Sequence, residues 1–566
     1  MTMRARIAHL AGPTATIQNT PPLVTSNKAR AKYGLAPRPN PDGTPARFDA
    51  LRGQRLAAPA TIYVEQFSAH PLEADAAALY APPDGFLDAA GRFHQTRQSA
   101  GDKPVYAIEI RPEDGLYPLP YMARQRDGAA WEEECASPGA PEEQARQGFY
   151  PDGSRSFEEI DRFGVGVDGT ANQISEKADV DFFRILPPSG FTKGLPAEQR
   201  RDVGDGAIQE ERRGVDFFPY KPFHLPASPP PAGLARAANA VQKILASGKY
   251  AGVIWTEGSP TTEETIYWLH LVVDTTLPIC GNSAQRPQGE ISHDGPKNIV
   301  DSTDYIASRV WADERGRNRA GAVMSQEQQI FAARAVTKID ARPGGYIAAG
   351  GHGGVLGASG HAGAPLLHYV PTLRHTYLSE VNITRLPATV TGVRRGARGL
   401  EPVTVPIKGP DGFLLDGAIP KVAITKDATY WSDDGKLDIA REVDLIAMID
   451  FMLADAPLAG FIIEGLTPYG SMTSNARDAL IRRAVLSGIP AVRVGRGNHE
   501  GFVPQRDPLF IAGSNLASTK ARMLLLASLM RLGSLPPCAD PEHPTKAELT
   551  AIRAKIAEFQ QIFDTH

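Results

Sequence analysis

Cysteine is scarce in this chain. Three residues of 566, Cys135, Cys280 and Cys538, are far apart and odd in number, so neither a disulfide framework nor a thiolate metal site is expected, and a reducing cytoplasm suits the composition. Long apolar runs are missing as well. The opening MTMRARIAHLAGPTATIQNT has basic residues but no continuous hydrophobic stretch, and nothing later is long enough to span a bilayer, so neither a signal peptide nor a membrane helix is predicted. Charge of one sign is not in excess. With 60 basic and 64 acidic residues the formal net charge is -4, which argues against nucleic acid or an anionic membrane as partners held by bulk electrostatics. The glycine-rich stretch 344–363 lacks a following Lys-Ser or Lys-Thr, and His352, His361 and His368 lack the spacing of metal ligands on a helix. It is read as a loop, with no metal and no cofactor called for.

What is present reads as α/β. A chain of 566 residues exceeds one ordinary core, so two or more domains are expected. Residues 1–58 are rich in Pro, Arg and Ala without a period, which predicts an irregular arm. Strands are expected at Ala60–Phe67 and Val105–Arg111, with a helix over Leu72–Tyr80 between them. In FGVGVDGTANQ, a small apolar strand runs into a tight Asp-Gly-Thr turn that leaves Thr170 at the strand's end. The charged stretch 174–220 predicts a mobile excursion, and PFHLPASPPPAG, with Ser228 before three prolines, a stiff connector. A helix over Leu234–Ser247 leads to the centre of the chain, 251–298. There the apolar run Val253–Trp255, a Thr/Glu/Gly/Ser/Pro turn, a helix-like segment and a second run, Thr276–Cys280, follow the grammar of strand, crossover helix and parallel strand. Ser259 is the expected N-cap and Pro260 the expected first helical residue. Polar groups at the carboxyl end of such a strand mark a ligand site.

Beyond the centre, a helix is predicted over Asp301–Arg309 and a strand over Ala320–Met324. After a linker, KVAIT, AREVDLIAMIDFML and AGFIIEG restart the strand-helix-strand pattern. They are followed by a helix at Ala476–Ser487, strands at 489–495 and 510–513, and a helix over Ser518–Leu532. Two parallel-sheet α/β domains behind an N-terminal extension are therefore expected: 1–160 as extension, 161–385 as the larger domain, 386–418 as linker and 419–566 as the smaller domain.

The order DGT, TEGSPTTEET, RPQGEISHDGPKN, AVMSQEQQIFAARAVTKIDARPGGYI, GIPAVRVGRG and GSNLASTKARMLLLASL resembles the bacterial asparaginase/glutaminase family of threonine-dependent amidohydrolases, from about Phe163 onward. The resemblance implies that Thr170 stands at the family's nucleophile, Ser259 at its second threonine and Lys338, in Val336-Thr337-Lys338, at its catalytic lysine. It places Ser228 near the serine that holds a substrate α-carboxylate. Glu257 stands where the family has histidine, and Pro260 where it has the aspartate that binds the substrate's α-ammonium. Glu500 lies in the region from which a partner subunit's glutamate comes. Homotetramers, built as dimers of dimers, are implied too.

Retention and loss are mixed in a way that has chemical consequences. A proton relay needs a hydroxyl beside a lysine that can lose its proton, and Ser259 with Lys338 supply the residue types. Proline supplies no carboxylate. The expected activity is hydrolysis of a carboxamide, lactam or imide through Thr170, on a substrate whose α-nitrogen is absent, acylated or cyclic. The backbone N–H groups near Gly169 and Gly258 are candidates for an oxyanion site. Glu257 is a candidate acid or base, or else a carboxylate that favours the following helix start. The alternatives are a binding or scaffold homologue and a plain asparaginase or glutaminase.

Overall fold

The structure, a computed structural model, describes residues 5–12, 60–64, 84–88, 93–110, 177–184, 231–286, 292, 294–342, 344–349, 353–360, 364–397, 399–427, 438–466, 468–497 and 503–566. The helix expected over 72–80, and the site residues Gly169, Thr170, Ser228 and Glu500, lie outside the described residues. The chain forms two compact units, Met1–Ser228 with Ala284–Pro296, and Pro229–Ser283 with Lys297–His566.

The first unit holds β1 (Ala5–Ala11), β2 (Ala60–Val64), β3 (Gly85–Leu87), β4 (Phe93–His94), β5 (Lys103–Ile110) and β6 (Ala178–Arg184). Strands β2-β5-β3-β4 form an antiparallel sheet in that order, with β2 and β5 where strands were expected. β1 pairs with β6 in parallel, from Ala5↔Ala178 to Ala11↔Arg184. Ile7, Ala8, His9 and Leu10 are fully buried, as parallel strands covered on both faces tend to be. This pair corrects the sequence reading over its own span, residues 5–11 of the expected arm 1–58 and 178–184 of the expected excursion 174–220. Arg6 and His9 in one strand, and Asp179 and Asp181 in the other, interrupt the apolar runs by which a buried strand is recognised.

The second unit opens with α1 (Ala232–Ala246), β7 (Gly252–Thr256), α2 (Thr261–Val272), β8 (Ile279–Asn282), α3 (Gly295–Ser308) and β9 (Ala322–Gln326). β7, β8 and β9 are parallel neighbours, with Val253↔Ile279 and Ile279↔Ala322 in register. The expected strands and helix are here, with shifted ends. β8 and β9 run on to Asn282 and Gln326, past the last apolar residue of each, and α3 starts before Asp301. Those polar strand ends are buried, so hydrophobicity alone stops short of them. Antiparallel strands follow: β10 (Gln329–Ala332), β11 (Val336–Lys338), β12 (Tyr346–Ala348), β13 (Val355–Ala358) and β14 (Leu366–Leu367). The sheet then reads β14-β13-β10-β9-β8-β7, and β11 and β12 form a separate hairpin. The glycine-rich stretch read as a loop thus contains two strands.

The stretch 386–418 is not irregular. Strands β15 (Thr389–Gly396) and β16 (Gly399–Pro406) form an antiparallel hairpin within it. The alternation announced at KVAIT then appears as β17 (Lys421–Lys426), α4 (Val443–Asp455), β18 (Ala459–Gly465), α5 (Asn475–Leu486), β19 (Ala491–Gly495), β20 (Ile511–Ala512) and α6 (Ser518–Leu532). The four strands lie parallel in chain order. α6 packs on α2 and on this sheet. A last helix, α7 (Lys546–Thr565), went unread although Thr545 and Glu548 form a capping box, a pattern visible in the sequence.

The β11–β12 hairpin positions the site. Its turn closes on Gly344, at φ +87°, and on Gly345, where a Cβ would lie 2.5 Å from Asp340 Cβ. Ile339 N–H donates to Gly345 O at 2.9 Å. An L-residue at Gly344 is strained by its backbone angle alone. Gly344→Ala should cost about 1 kcal/mol in chemical unfolding, whereas Gly417→Ala, with open space around it and no positive φ, should cost little.

Candidate active site

β7 ends at Thr256, and the chain turns through Glu257, Gly258, Ser259 and Pro260 into α2. These four residues therefore sit at the carboxyl end of a parallel strand. The Ser259–Pro260 peptide is cis. α2 begins at Thr261, with Pro260 as the cap residue and no side-chain capping bond, so the expected N-cap at Ser259 and helix start at Pro260 are corrected by one residue. The first turn closes through the backbone instead. Thr262 N–H donates to Gly258 O and Glu263 N–H to Pro260 O, each at 3.1 Å. Thr262 Oγ1 donates to Glu257 O at 2.8 Å. Ser259 is thereby released from capping, and its Oγ accepts a hydrogen bond from the Tyr346 hydroxyl at 2.8 Å.

Glu257 is buried, and its Oε2 accepts from Trp255 Nε1 at 2.9 Å. Residues two apart on an extended chain share a face, so this contact follows from strand geometry. Thr256 Oγ1 donates to Asn282 Oδ1 at 2.7 Å, and Asn282 Nδ2 to Ser302 Oγ at 3.1 Å. Ser302 Oγ in turn donates to Asn298 O at 2.7 Å. Asn298 Nδ2 donates to Ser283 O at 2.8 Å, and its Oδ1 accepts from Glu327 N–H at 2.9 Å. Asn282, Asn298 and Ser302 are buried, and such groups need these partners to be tolerated. The Asn of DGPKN is thus a clamp across strand ends.

Glu263, in the first turn of α2, reaches the β11–β12 hairpin. Its Oε2 accepts from Lys338 N–H at 2.6 Å and its Oε1 from Thr337 Oγ1 at 3.3 Å. Buried Lys520 of α6 donates to the Glu263 and Ala333 carbonyls, the latter at 2.8 Å. Arg522 pairs with Glu264 one step along. The segments EET, VTK and Lys-Ala-Arg, far apart in the chain, are therefore one connected polar cluster. Burial pushes both members of the Glu263–Lys520 pair toward their neutral forms. The Glu263 carboxyl is raised despite Lys520 and the bonds from Lys338 and Thr337. The Lys520 ammonium is lowered to about 8 despite the attraction of Glu263 and Glu264.

The sequence-predicted residues divide accordingly. Ser259 and the backbone of Lys338 are held within one assembly, through Tyr346 and Glu263 respectively. Lys338 is half-buried, and it stands opposite Tyr346 in the β11–β12 register. The lysine that burial favours in its neutral form is Lys520. Gly258 contributes its carbonyl to the helix start. Tyr346 and Glu263 were not singled out from the sequence. A Gly-Gly pair between VTK and YI is a hairpin signal, and it would have set Tyr346 against Lys338.

The low Lys520 value has a direct consequence for stability. The unfolded lysine titrates near 10.5 and the folded one near 8, so between these values the unfolded chain binds more protons and this residue's contribution to stability rises with pH. Comparison of wild type with Lys520→Met by urea unfolding should therefore favour the wild type increasingly from pH 8 to pH 10.5, by at most about 3 kcal/mol. A difference that stays flat with pH would rule out a buried, titrating Lys520.

Residues 228–353 match the family model described as Asparaginase, N-terminal. A probable L-asparaginase of Deinococcus radiodurans is 32% identical over 158 residues, 28% of this chain and 46% of that protein. A glutaminase-asparaginase of Acinetobacter glutaminasificans is 32% identical over 154 residues, 27% of this chain and 44% of that protein. The chain thus spans less than half the length of these curated relatives. A solved structure, a probable cytoplasmic L-asparaginase from Campylobacter jejuni, superposes with a TM-score of 0.44 at 20% identity, over 71% of this chain and 95% of that one, which is too loose to place residues. The part of the chain that is similar to the asparaginase family is thus the segment 228–353, which carries the TEGSPTTEET turn and the VTK strand.

Proposed function

We propose that the protein is an amidohydrolase that cleaves a carboxamide, lactam or imide C–N bond, with Thr170 as nucleophile and Ser259 and Lys338 in its proton relay. The observation that carries this reading is the Ser259 hydroxyl, placed at the carboxyl end of β7, free of capping duty and hydrogen-bonded to Tyr346 at 2.8 Å. A hydroxyl held by an ionisable partner beside a lysine-bearing strand is the arrangement acyl transfer uses. Backbone N–H groups at Gly169 and Gly258 serve the developing oxyanion in this reading, and Ser228 and Glu500 contact substrate. Assembly as a homo-oligomer, a dimer of dimers, belongs to the same reading.

Pro260 sets the substrate class. It stands where the resemblance implies an ammonium-binding aspartate, and it has no side-chain acceptor. A site built around a charged partner discriminates heavily when that partner is lost, so a free α-amino acid is a poor fit, and an acylated, cyclic or nitrogen-free analogue a better one. The names of the relatives, probable L-asparaginase and glutaminase-asparaginase, keep asparagine and glutamine in the test as the second reading.

The experiment is a panel of asparagine, glutamine, N-acetylasparagine, simple carboxamides, lactams and imides, followed by ammonia release and ring opening. Turnover of an amide without a free α-ammonium is expected. Thr170→Ala should abolish it, and Ser259→Ala should lower kcat by about 100-fold or more. Pro260→Asp should shift preference toward asparagine. Full turnover in Thr170→Ala would remove the nucleophile assignment, and asparagine as the best wild-type substrate would remove the proposed substrate class.

A further inference from the structure

The proton inventory of the site has a direction. The Tyr346 hydroxyl donates to Ser259 Oγ at 2.8 Å, so the serine's own proton is left to point elsewhere. Tyr346 is buried and cannot be replaced in this role by bulk water. It faces Lys338 in the antiparallel register of β11 and β12, and directly opposed residues of such a pair carry their side chains on one face with Cβ atoms about 4.5–5.5 Å apart. The turn that creates this pairing is held by Gly344 and Gly345. Lys338 itself is fixed by the Glu263 carboxylate on its backbone N–H. Hydroxyl, phenol and lysine strand are thus ordered in space by the fold.

We propose that Tyr346 is the proton source for the departing nitrogen, acting through the Ser259 hydroxyl. The inference rests on the amidohydrolase reading. As the nucleophile's oxygen bonds to the acyl carbon its proton passes to the Lys338 amine, and as the C–N bond breaks its electron pair goes to nitrogen, nitrogen takes the Ser259 proton, and Ser259 Oγ takes the proton of Tyr346. The phenolate so formed lies on the same hairpin face as the Lys338 ammonium, which opposes its charge. In the second half of the reaction, water attacks the acyl carbon, its proton passes to Ser259 Oγ, the serine's proton returns to Tyr346, and the bond from the acyl carbon to the nucleophile breaks as that oxygen takes back the proton held on Lys338. The enzyme ends as it began, with one water consumed and one C–N bond replaced by C–O. Ser259 touches the substrate in this scheme, and Tyr346 acts through it.

The test separates leaving groups. A primary amide from the panel and the p-nitrophenyl ester of the same acid share an acyl group, but only the amide needs a proton to depart. Tyr346→Phe should lower kcat for the amide by about 100-fold or more with KM little changed, and should leave the pre-steady-state burst of p-nitrophenolate from the ester close to wild type. Ser259→Ala should lower amide turnover as well, and a far-UV circular dichroism spectrum and urea midpoint like those of wild type guard against misfolding of Tyr346→Phe. Equal losses on amide and ester in Tyr346→Phe, or amide loss in Ser259→Ala alone, would overturn the role of Tyr346 while leaving the amidohydrolase reading intact. A wild type that turns over no amide would remove both.

Discussion

The arrangement of the candidate site depends on the buried side chain of Glu263. A carboxylate at the start of a helix is favourable for its own reasons, since the first-turn N–H groups carry partial positive charge. Glu263 does more than that, because its two oxygens leave the helix and take the backbone N–H of Lys338 and the hydroxyl of Thr337. Without it the β11–β12 hairpin would have an unpartnered strand N–H facing the interior, a cost on the order of 1–3 kcal/mol. A buried acid also has to be reconciled with its desolvation, and Lys520 supplies the opposing charge while spending its hydrogen bonds on two carbonyls, those of Glu263 and Ala333. The acid, the hairpin and α6 are therefore mutually dependent.

This dependence explains which parts of the chain were legible. The strand-helix alternation of 251–282 and of 421–532 was readable because apolar periods and turn residues agree there. The motifs EET, VTK and Lys-Ala-Arg stood out as resemblances, yet their joint reason, the Glu263 cluster, was hidden because hydrogen bonds between segments 75 and 257 residues apart leave no local pattern. The same limit applies to Asn298, which reads as a helix residue and serves as a clamp. β1 and β6 were missed for a different reason, since polar residues inside a strand defeat a count of apolar ones. Thr170 and Ser228, the residues on which the resemblance places most of the chemistry of attack and recognition, lie outside the described residues.

Ser259 and Pro260 illustrate how one substitution reaches two levels. From the sequence, Ser-Pro is a good helix start, with serine capping and proline in the first turn. In the fold, proline takes the cap position, Gly258 O and Pro260 O receive the first-turn N–H groups, and the serine side chain is left for Tyr346. An N-capping serine spends its oxygen on backbone N–H groups. A serine one position earlier keeps that oxygen for another side chain, so the one-residue shift in the helix start decides whether Ser259 caps the helix or bonds Tyr346.

The two lysines divide along the same lines. Lys520 is the deeply buried one, and burial lowers it to about 8, which by itself is the signature often sought in a catalytic base. Its hydrogen bonds, however, go to main-chain carbonyls, and a group that is spent on holding two segments together cannot also shuttle protons without releasing them. Lys338 is the more exposed, and it stands opposite Tyr346 in the hairpin register. Burial thus singles out Lys520, whereas the hairpin register singles out Lys338.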